Sequence, residues 1–165
     1  NSMPRQLILD AVQARAPFLA PVVSAWLCQQ TTHRYYSDGG SGLPVAATMG
    51  VDQGCPLSPA LFAIALAAPL ERILARLVQL SPTSRVFSYL DDVMVFVPAA
   101  HAEAAALIVQ EELGRVGLEL NVDETAAWTL DPQAPLPPSL AQYRKPSLRC
   151  LGALTSWLDP EDPPW

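Results

Sequence analysis

The sequence predicts an α+β fold in which helices cover one face of a ferredoxin-like antiparallel sheet. Apolar residues recur at helical spacing in four segments, whereas short alternating segments bounded by turn residues are typical of strands. The chain has 165 residues, of which 50% are hydrophobic and 16% charged. This length and composition suit one domain with a sizeable core.

Two helices are predicted at the start of the chain. Pro4 suits the first turn of a helix that ends at Arg15. A second helix lies in the stretch APFLAPVVSAWLCQQ, with Val22, Ala25 and Trp26 on one apolar face.

A hairpin follows, with arms Thr32–Ser37 and Leu43–Met49. Its connection, DGGSG, supplies residues that accept the positive φ angles of a reversal.

A third, long helix is predicted after the stretch GVDQGCPL. Ser58 is expected as its N-cap and Pro59 as its first residue, because those side chains favour these positions. The apolar stripe that follows comprises Leu61, Ile64, Ala65 and Ala68. Pro69 is expected to kink the helix.

A tight hairpin is predicted around FSYLDDVMVF. Arg85–Tyr89 and Val93–Val97 alternate in side-chain type as strands do. Asp91 and Asp92 then fall at the turn between them.

The remainder of the chain is predicted as one helix, two strands and a loop. The helix spans Ala99–Val116 and is ended by Gly117. LELNVDETAAWTL is expected to form a turn and a strand, Pro132–Pro146 a loop, and SLRCLGALTSW the last strand. The domain is expected to span residues 1–158, with a polar, proline-rich tail over residues 159–165.

Composition excludes several classes of function. A net charge of −6 argues against a free-standing nucleic-acid binder, because phosphate binding requires Lys and Arg. Cys28, Cys55 and Cys150 lie far apart, which is typical of reduced thiols in an intracellular protein. No apolar run approaches the length of a membrane span, so no membrane association is expected.

Residue types alone leave two interpretations of Asp91 and Asp92 open. Aspartate is a common turn residue that bonds its own backbone. Alternatively, adjacent carboxylates that repel each other are useful where a cation neutralises them. Mg²⁺ prefers such oxygen ligands together with substrate phosphates, and two ions form a clamp for nucleotidyl transfer.

Several motifs in order resemble those of reverse transcriptases. GVDQGCPLSPALFAIAL resembles their QG-x-P-L-SP-x-LF loop and helix, and YLDD resembles their YxDD catalytic box. GLELNVDET and LRCLGALTSW resemble the two segments that follow this box. NSMPRQLIL is similar to the residues after the first catalytic Asp in the non-long-terminal-repeat retroelement and group II intron branch. Together these motifs cover nearly the whole chain.

The resemblance implies the palm of an RNA-directed DNA polymerase that joins a dNTP to a primer 3′-hydroxyl on two Mg²⁺ ions, with Mn²⁺ as a substitute. Its partners would be an RNA template, a DNA or RNA primer and dNTPs. Asp91 matches a direct metal ligand, and Asp92 matches the second carboxylate of the box. The positions implied to contact nucleotide or primer are Tyr89, Gln53, Gly54, Leu151 and Gly152.

The chain departs from the family pattern in ways that put its activity in doubt. The family's first catalytic Asp would precede Asn1, so the chain is expected to be a fragment without the first palm strand, the fingers and the thumb. The family's lysine is replaced by Glu124, whose charge would repel phosphate. We therefore expect the fragment to be inactive alone and to self-associate through an open sheet edge.

A second class of function stays open, namely a catalytically silent palm that binds a protein or acts as a scaffold. An intracellular location is expected in either case, nuclear for a eukaryotic retroelement and otherwise cytoplasmic.

Overall fold

The computed structural model describes residues 3–28, 31–36, 42–47, 49–52, 54–150 and 153–156. Helices and antiparallel strand pairs occur together, so the predicted α+β class is confirmed. The chain forms two compact units: residues 1–72 with 112–118, and residues 73–111 with 119–165. Among the described helices, none has the length and apolar composition needed to cross a membrane.

The first four described helices lie close to where the sequence predicts them, and a fifth, short helix is additional. They are α1 (Arg5–Arg15), α2 (Ala20–Leu27), α3 (Ser58–Leu80), α4 (Ala102–Gly114) and the one-turn α5 (Pro138–Ala141). Short 3₁₀ turns at Pro17–Leu19 and Ala99–His101 lead into α2 and α4. Pro69 lies inside α3, and the kink expected there stays a prediction.

The strands pair as three antiparallel hairpins. They are β1 (Thr31–Tyr35) with β2 (Leu43–Ala47), β3 (Arg85–Tyr89) with β4 (Asp92–Phe96), and β5 (Ser147–Cys150) with β6 (Ala153–Ser156). The sequence predicted one connected sheet, whereas the described strands pair only within these hairpins. The expected self-association through a sheet edge stays a prediction.

The first unit has a continuous apolar core. The buried members of this core are Met3, Ile8, Val12, Ala20, Val23, Leu27, Val51, Leu61, Ala65 and Val116. Those of α1, α2 and α3 recur at three- or four-residue spacing, which places each set on one helix face. Residues as far apart in sequence as Met3 and Val116 therefore pack in one core.

The buried face of α2 differs from the predicted one. Val22 and Ala25 are exposed and Trp26 is only partly buried, whereas Val23 and Leu27 are buried. Because α2 carries apolar residues on most sides, its sequence does not single out one face. Packing against α1 selects the face instead.

The end of α4 confirms the predicted glycine stop. The Leu118 N–H donates to the Leu113 carbonyl at 3.0 Å, and the Gly117 N–H donates to the Gly114 carbonyl at 3.0 Å. Gly117 has a φ of 71°, which a glycine adopts without steric cost. These two bonds form a Schellman motif, so Gly117 ends the helix as expected.

The predicted strand after α4 is wrong. In the described chain, the turn predicted before it is present at Asn121, whose side-chain oxygen accepts from the Asp123 N–H and whose carbonyl accepts from the Thr125 N–H. Such local bonds compete with a strand ladder. Only an isolated parallel bridge between Ala127 and Arg144 remains.

The last third of the chain differs in two further respects. The predicted loop Pro132–Pro146 contains α5 and is fastened by Arg144, which donates to the carbonyls of Pro132, at 2.8 Å, and Ala134. The single predicted last strand is divided into β5 and β6, which pair with each other. A hairpin satisfies the backbone groups that a lone strand would leave without partners.

A bidentate ion pair joins the last turn of α1 to α3 in the first unit. Arg15 Nη1 donates to Glu71 Oε1 at 2.9 Å, and Arg15 Nη2 donates to Glu71 Oε2. The hydrogen bond from Arg15 lowers the pKa of Glu71 below its ordinary 4.5, although desolvation opposes the shift. The pair therefore stabilises the fold fully above the unfolded-state pKa of Glu71, and this contribution is lost as pH falls through the folded-state pKa.

We expect Glu71→Gln to be less stable than the wild type near pH 7, with the difference shrinking near pH 3. The effect is small because both side chains are partly exposed. Urea unfolding at the two pH values measures it, and Glu124→Gln is the control because Glu124 is an exposed glutamate of the second unit. A difference that grows on acidification would contradict the direction of the pKa shift.

Candidate functional site

The tip of the β3–β4 hairpin carries the predicted metal ligands. Tyr89 pairs with Asp92 in the antiparallel register, which leaves Leu90 and Asp91 as a two-residue loop. The prediction that both aspartates lie in the turn is therefore wrong by one residue, since Asp92 begins β4. Two-residue loops match the twist of paired strands, so the ladder extends one pair further than expected.

The backbone of this loop is strained directly before Asp91. Leu90 has a φ of 54°, in the left-handed region that costs an L-residue about 1–2 kcal/mol. The Ser88 hydroxyl donates to the Leu90 carbonyl at 3.3 Å. Strain of this kind persists only where surrounding bonds hold it, and it is concentrated at functional sites.

The two aspartates are open to solvent at this tip. Asp91 and Asp92 are exposed, and within the described residues neither carboxylate has a hydrogen-bond or ion-pair partner. Asp91 therefore does not make the side-chain-to-backbone bond that the turn interpretation requires. Adjacent carboxylates without such partners are accessible to water or to a cation.

An exposed aromatic surface lies beside the carboxylates. Phe87, Tyr89 and Phe96 are exposed, and the rings of Phe87 and Phe96 meet edge to face with centroids 5.6 Å apart. Alternation along β3 places Phe87 and Tyr89 on one face, and Tyr89 lies opposite Asp92. A flat ring next to a carboxylate is suited to contact with a base or sugar.

The carboxylates at the hairpin are a partial set of metal ligands. Across the described ranges, no group of three or more His, Cys, Asp or Glu side chains is arranged to hold a metal ion. Mg²⁺ needs only one or two protein carboxylates when substrate phosphates and water complete its shell. Asp91 and Asp92 therefore fit the protein's share of such a site.

The loop before α3 belongs to the first unit and is fastened at its start. The Gly50 N–H donates to the Met3 carbonyl at 2.9 Å, and Arg5 Nε donates to the Gly50 carbonyl at 3.3 Å. Arg5 is buried. Arginine is rarely buried unless its guanidinium has partners such as this carbonyl. Sequence reasoning did not assign Arg5 a role, although it lies in the NSMPRQ stretch that carries part of the family resemblance.

Ser58 fastens the other end of this loop, in a different way from the predicted N-cap. Its hydroxyl donates to the Asp52 carbonyl at 2.6 Å, and the first helical bond runs from the Leu61 N–H to the Leu57 carbonyl. Leu57 therefore occupies the cap position, and Ser58 is the first residue of α3. The Ser58 hydroxyl thus bonds a carbonyl of the loop and not a backbone N–H of the first helical turn.

Gly54 lies in the middle of this fastened loop. Its φ is 89°, a conformation that residues with a Cβ adopt at a cost. Apart from its chain neighbours, no described residue has an atom within 4 Å of where a Cβ would be, and Gly54 is exposed. The glycine is thus required by the backbone, and its surroundings leave room for a substrate to approach closely.

Three of the predicted site residues lie outside the described residues, namely Gln53, Leu151 and Gly152. Their assignments to the nucleotide pocket and the primer-supporting strand stay predictions.

Glu124, which replaces the family's lysine, lies on the exposed Asn121 turn of the second unit. Its N–H donates to the Asn121 carbonyl at 3.2 Å. The carboxylate is therefore a surface charge.

Comparison with known proteins identifies the family. The sequence model of the family described as "Reverse transcriptase (RNA-dependent DNA polymerase)" matches residues 9–153. No curated protein and no solved structure matches the chain. The family match covers most of the 165 residues and includes the YLDD hairpin, the QGCP loop and α3. The chain therefore belongs to the reverse transcriptase (RNA-dependent DNA polymerase) family.

Proposed function

We propose that the chain is the palm of an RNA-directed DNA polymerase and that its β3–β4 tip binds the catalytic divalent metal. The observation that carries this proposal is the pair of exposed carboxylates without side-chain partners, placed at a strained turn in a chain of this family. The reaction is attack of a primer 3′-hydroxyl on the α-phosphate of a dNTP. Template RNA and primer are the partners.

Each residue at the tip has a distinct proposed role. Asp91 is the direct metal ligand, because it lies in the loop itself, and Asp92 is the second carboxylate. When bound, Mg²⁺ or Mn²⁺ would stabilise the negative charge that develops on the phosphate oxygens. Tyr89, opposite Asp92 in the ladder, contacts the primer end or the incoming nucleotide.

The fastened loop has a supporting role in this proposal. Gln53 and Gly54 line the nucleotide pocket, and the bonds made by Arg5 and Ser58 keep the backbone on either side of them in place. Preorganised backbone groups are effective in catalysis because they need no rearrangement when the substrate reacts. Leu151 and Gly152 support the primer backbone.

The broader assignments are also proposals. Residues 1–158 form the palm and residues 159–165 a tail. The 165-residue chain alone is expected not to extend a primer. A retroelement origin, in the non-long-terminal-repeat or group II intron branch, agrees with the NSMPRQLIL stretch. The location would be nuclear in a eukaryote and otherwise cytoplasmic.

A metal titration followed by NMR tests the proposed site. Paramagnetic Mn²⁺ is expected to broaden the amide signals of Tyr89 to Val93 before any others, with weak affinity because no substrate phosphate is present. Mg²⁺ should bind there more weakly than Mn²⁺, following the usual affinity order of divalent ions. Broadening centred elsewhere, or submicromolar Mg²⁺ affinity, would contradict the assignment.

A further inference from the structure

An apolar groove lies in the second unit, between α4 and the segment around the Asn121 turn. Its volume is about 200 Å³, and its walls are mainly apolar. Leu107 contributes from α4, Leu120 and Val122 from the turn segment, and Leu140 from α5. Leu107 is 62% exposed, and Leu120 and Val122 are exposed as well. Exposed apolar surface of this kind is typical of interaction sites.

Four acidic residues lie in or directly beside the segments that line this groove. Glu103 lines it, with its Oε1 accepting a hydrogen bond from the Ser139 hydroxyl at 2.7 Å. Glu119, Asp123 and Glu124 are exposed, and each is adjacent in sequence to a lining residue. These four residues form what we term the acidic rim.

Arg144 and Lys145 are the two basic residues that follow the lining residue Tyr143, and the four carboxylates of the acidic rim outnumber them. The Arg144 guanidinium donates to the carbonyls of Pro132 and Ala134. The chain as a whole has a net charge of −6. The groove is therefore an apolar surface within a negative field.

We propose that this groove docks a basic amphipathic peptide segment of another protein. One apolar side chain of the partner fills the groove as an anchor, and flanking Lys or Arg residues pair with the acidic rim. A small groove with a polar border matches the anchor-and-rim anatomy of protein interfaces. This surface is separate from the proposed metal site, and neither depends on the other.

Charge excludes the competing occupants. RNA, DNA and anionic membrane surfaces all carry the same sign as the acidic rim, so their approach is opposed. The chain's own residues 157–165 contain Asp159, Glu161 and Asp162 and no basic residue, so they do not complement the rim either. Glu124 gains a role here, because the carboxylate that would repel phosphate at a polymerase site attracts a basic peptide.

Two synthetic peptides with the same helical leucine pattern test the proposal. One carries Lys and the other Glu at every polar position, and each is titrated into the 165-residue chain while fluorescence anisotropy is measured. We expect the Leu/Lys peptide to bind at least about tenfold more tightly than the Leu/Glu peptide, because rim charges select the sign of the partner. Added salt should reduce the difference.

Two substitutions locate the binding. Leu107→Glu should weaken the Leu/Lys peptide at least about tenfold through loss of the apolar anchor contact. Leu130→Glu, at a leucine of the same unit that is 85% exposed and does not line the groove, should leave the affinity unchanged. Glu124→Lys should weaken the Leu/Lys peptide and strengthen the Leu/Glu peptide. Because all three side chains are exposed, circular dichroism should show folded variants.

Several results would overturn the proposal. Equal binding of the two peptides would mean unspecific apolar adhesion, and equal effects of Leu107→Glu and Leu130→Glu would place the contact elsewhere. Binding only after removal of residues 157–165 would identify the chain's own tail as the occupant. Direct binding of labelled single-stranded RNA to the chain, weakened by Leu107→Glu, would show a nucleic-acid surface instead. None of these measurements depends on metal, so their failure leaves the proposed polymerase site untouched.

Discussion

Substitution of Asp91 by asparagine is expected to weaken Mn²⁺ binding at the hairpin tip by at least about tenfold. Loss of even an indirect partner of a metal ligand typically lowers affinity about 10–100-fold, and Asp91 is proposed as a direct ligand. Asparagine keeps the size of the side chain and its preference for turns, so the loop should be retained. Mn²⁺ broadening of the Tyr89 and Val93 amides measures the change.

Two further variants separate metal binding from turn structure. Asp92→Asn should weaken binding less than Asp91→Asn, because Asp92 belongs to the strand ladder. Asp131→Asn is the matched control, since Asp131 lies in another exposed turn and accepts from the Gln133 N–H at 2.9 Å. If Asp91→Asn and Asp131→Asn had equal effects on Mn²⁺ binding, Asp91 would be a turn residue and not a ligand.

Substitution of Leu61 by alanine is expected to lower the free energy of unfolding by about 2–5 kcal/mol. Leu61 is 1% exposed and belongs to the core of the first unit, where its truncation leaves a cavity. A loss of this size is a large part of the total stability of a domain, which is about 5–15 kcal/mol. Because Leu61 follows the fastened loop by one helical turn, the loop should also become less ordered.

Leu57→Ala is the matched control for this core substitution. The two leucines are one turn apart, and Leu57 is 45% exposed. Its truncation removes less buried surface, so we expect a loss below about 1 kcal/mol. Urea unfolding of both variants gives the comparison, and equal losses would mean that Leu61 is not in a closely packed core.

Local signals allowed the sequence to predict much of the fold. The limits of α1, the Gly117 stop of α4 and the β3–β4 hairpin all follow from turn residues, caps and periodicity, which act over a few neighbours. The motif resemblance identified the family from short strings, and the family match supports it.

The predictions were wrong where tertiary contacts or alternative local hydrogen bonds determine the structure. Packing against α1 chose Val23 and Leu27 as the buried face of α2, a choice that its uniformly apolar sequence leaves open. The Ser58 hydroxyl could serve helix or loop, and only the nearby Asp52 carbonyl settles its direction. The turn at Asn121 was predicted, but the strand expected after it does not form, and a single bridge at Ala127 is all that pairs there in the described chain. The Asp91 and Asp92 assignment rests on a pattern, and geometry adds their exposure and the strained residue before them.

The core of the first unit has a consequence for how the protein is made. Val116 packs in the same cluster as residues from Met3 onwards, although residues 73–111 belong to the other unit. On a ribosome that adds about 5–20 residues per second, Val116 is made on the order of ten seconds after Met3. Until then α1, α2 and the first half of α3 wait with an unfinished apolar surface, which is the kind of surface that chaperones bind. Synthesis of the polypeptide, and not local helix formation, thus sets the earliest time at which this unit completes its folding.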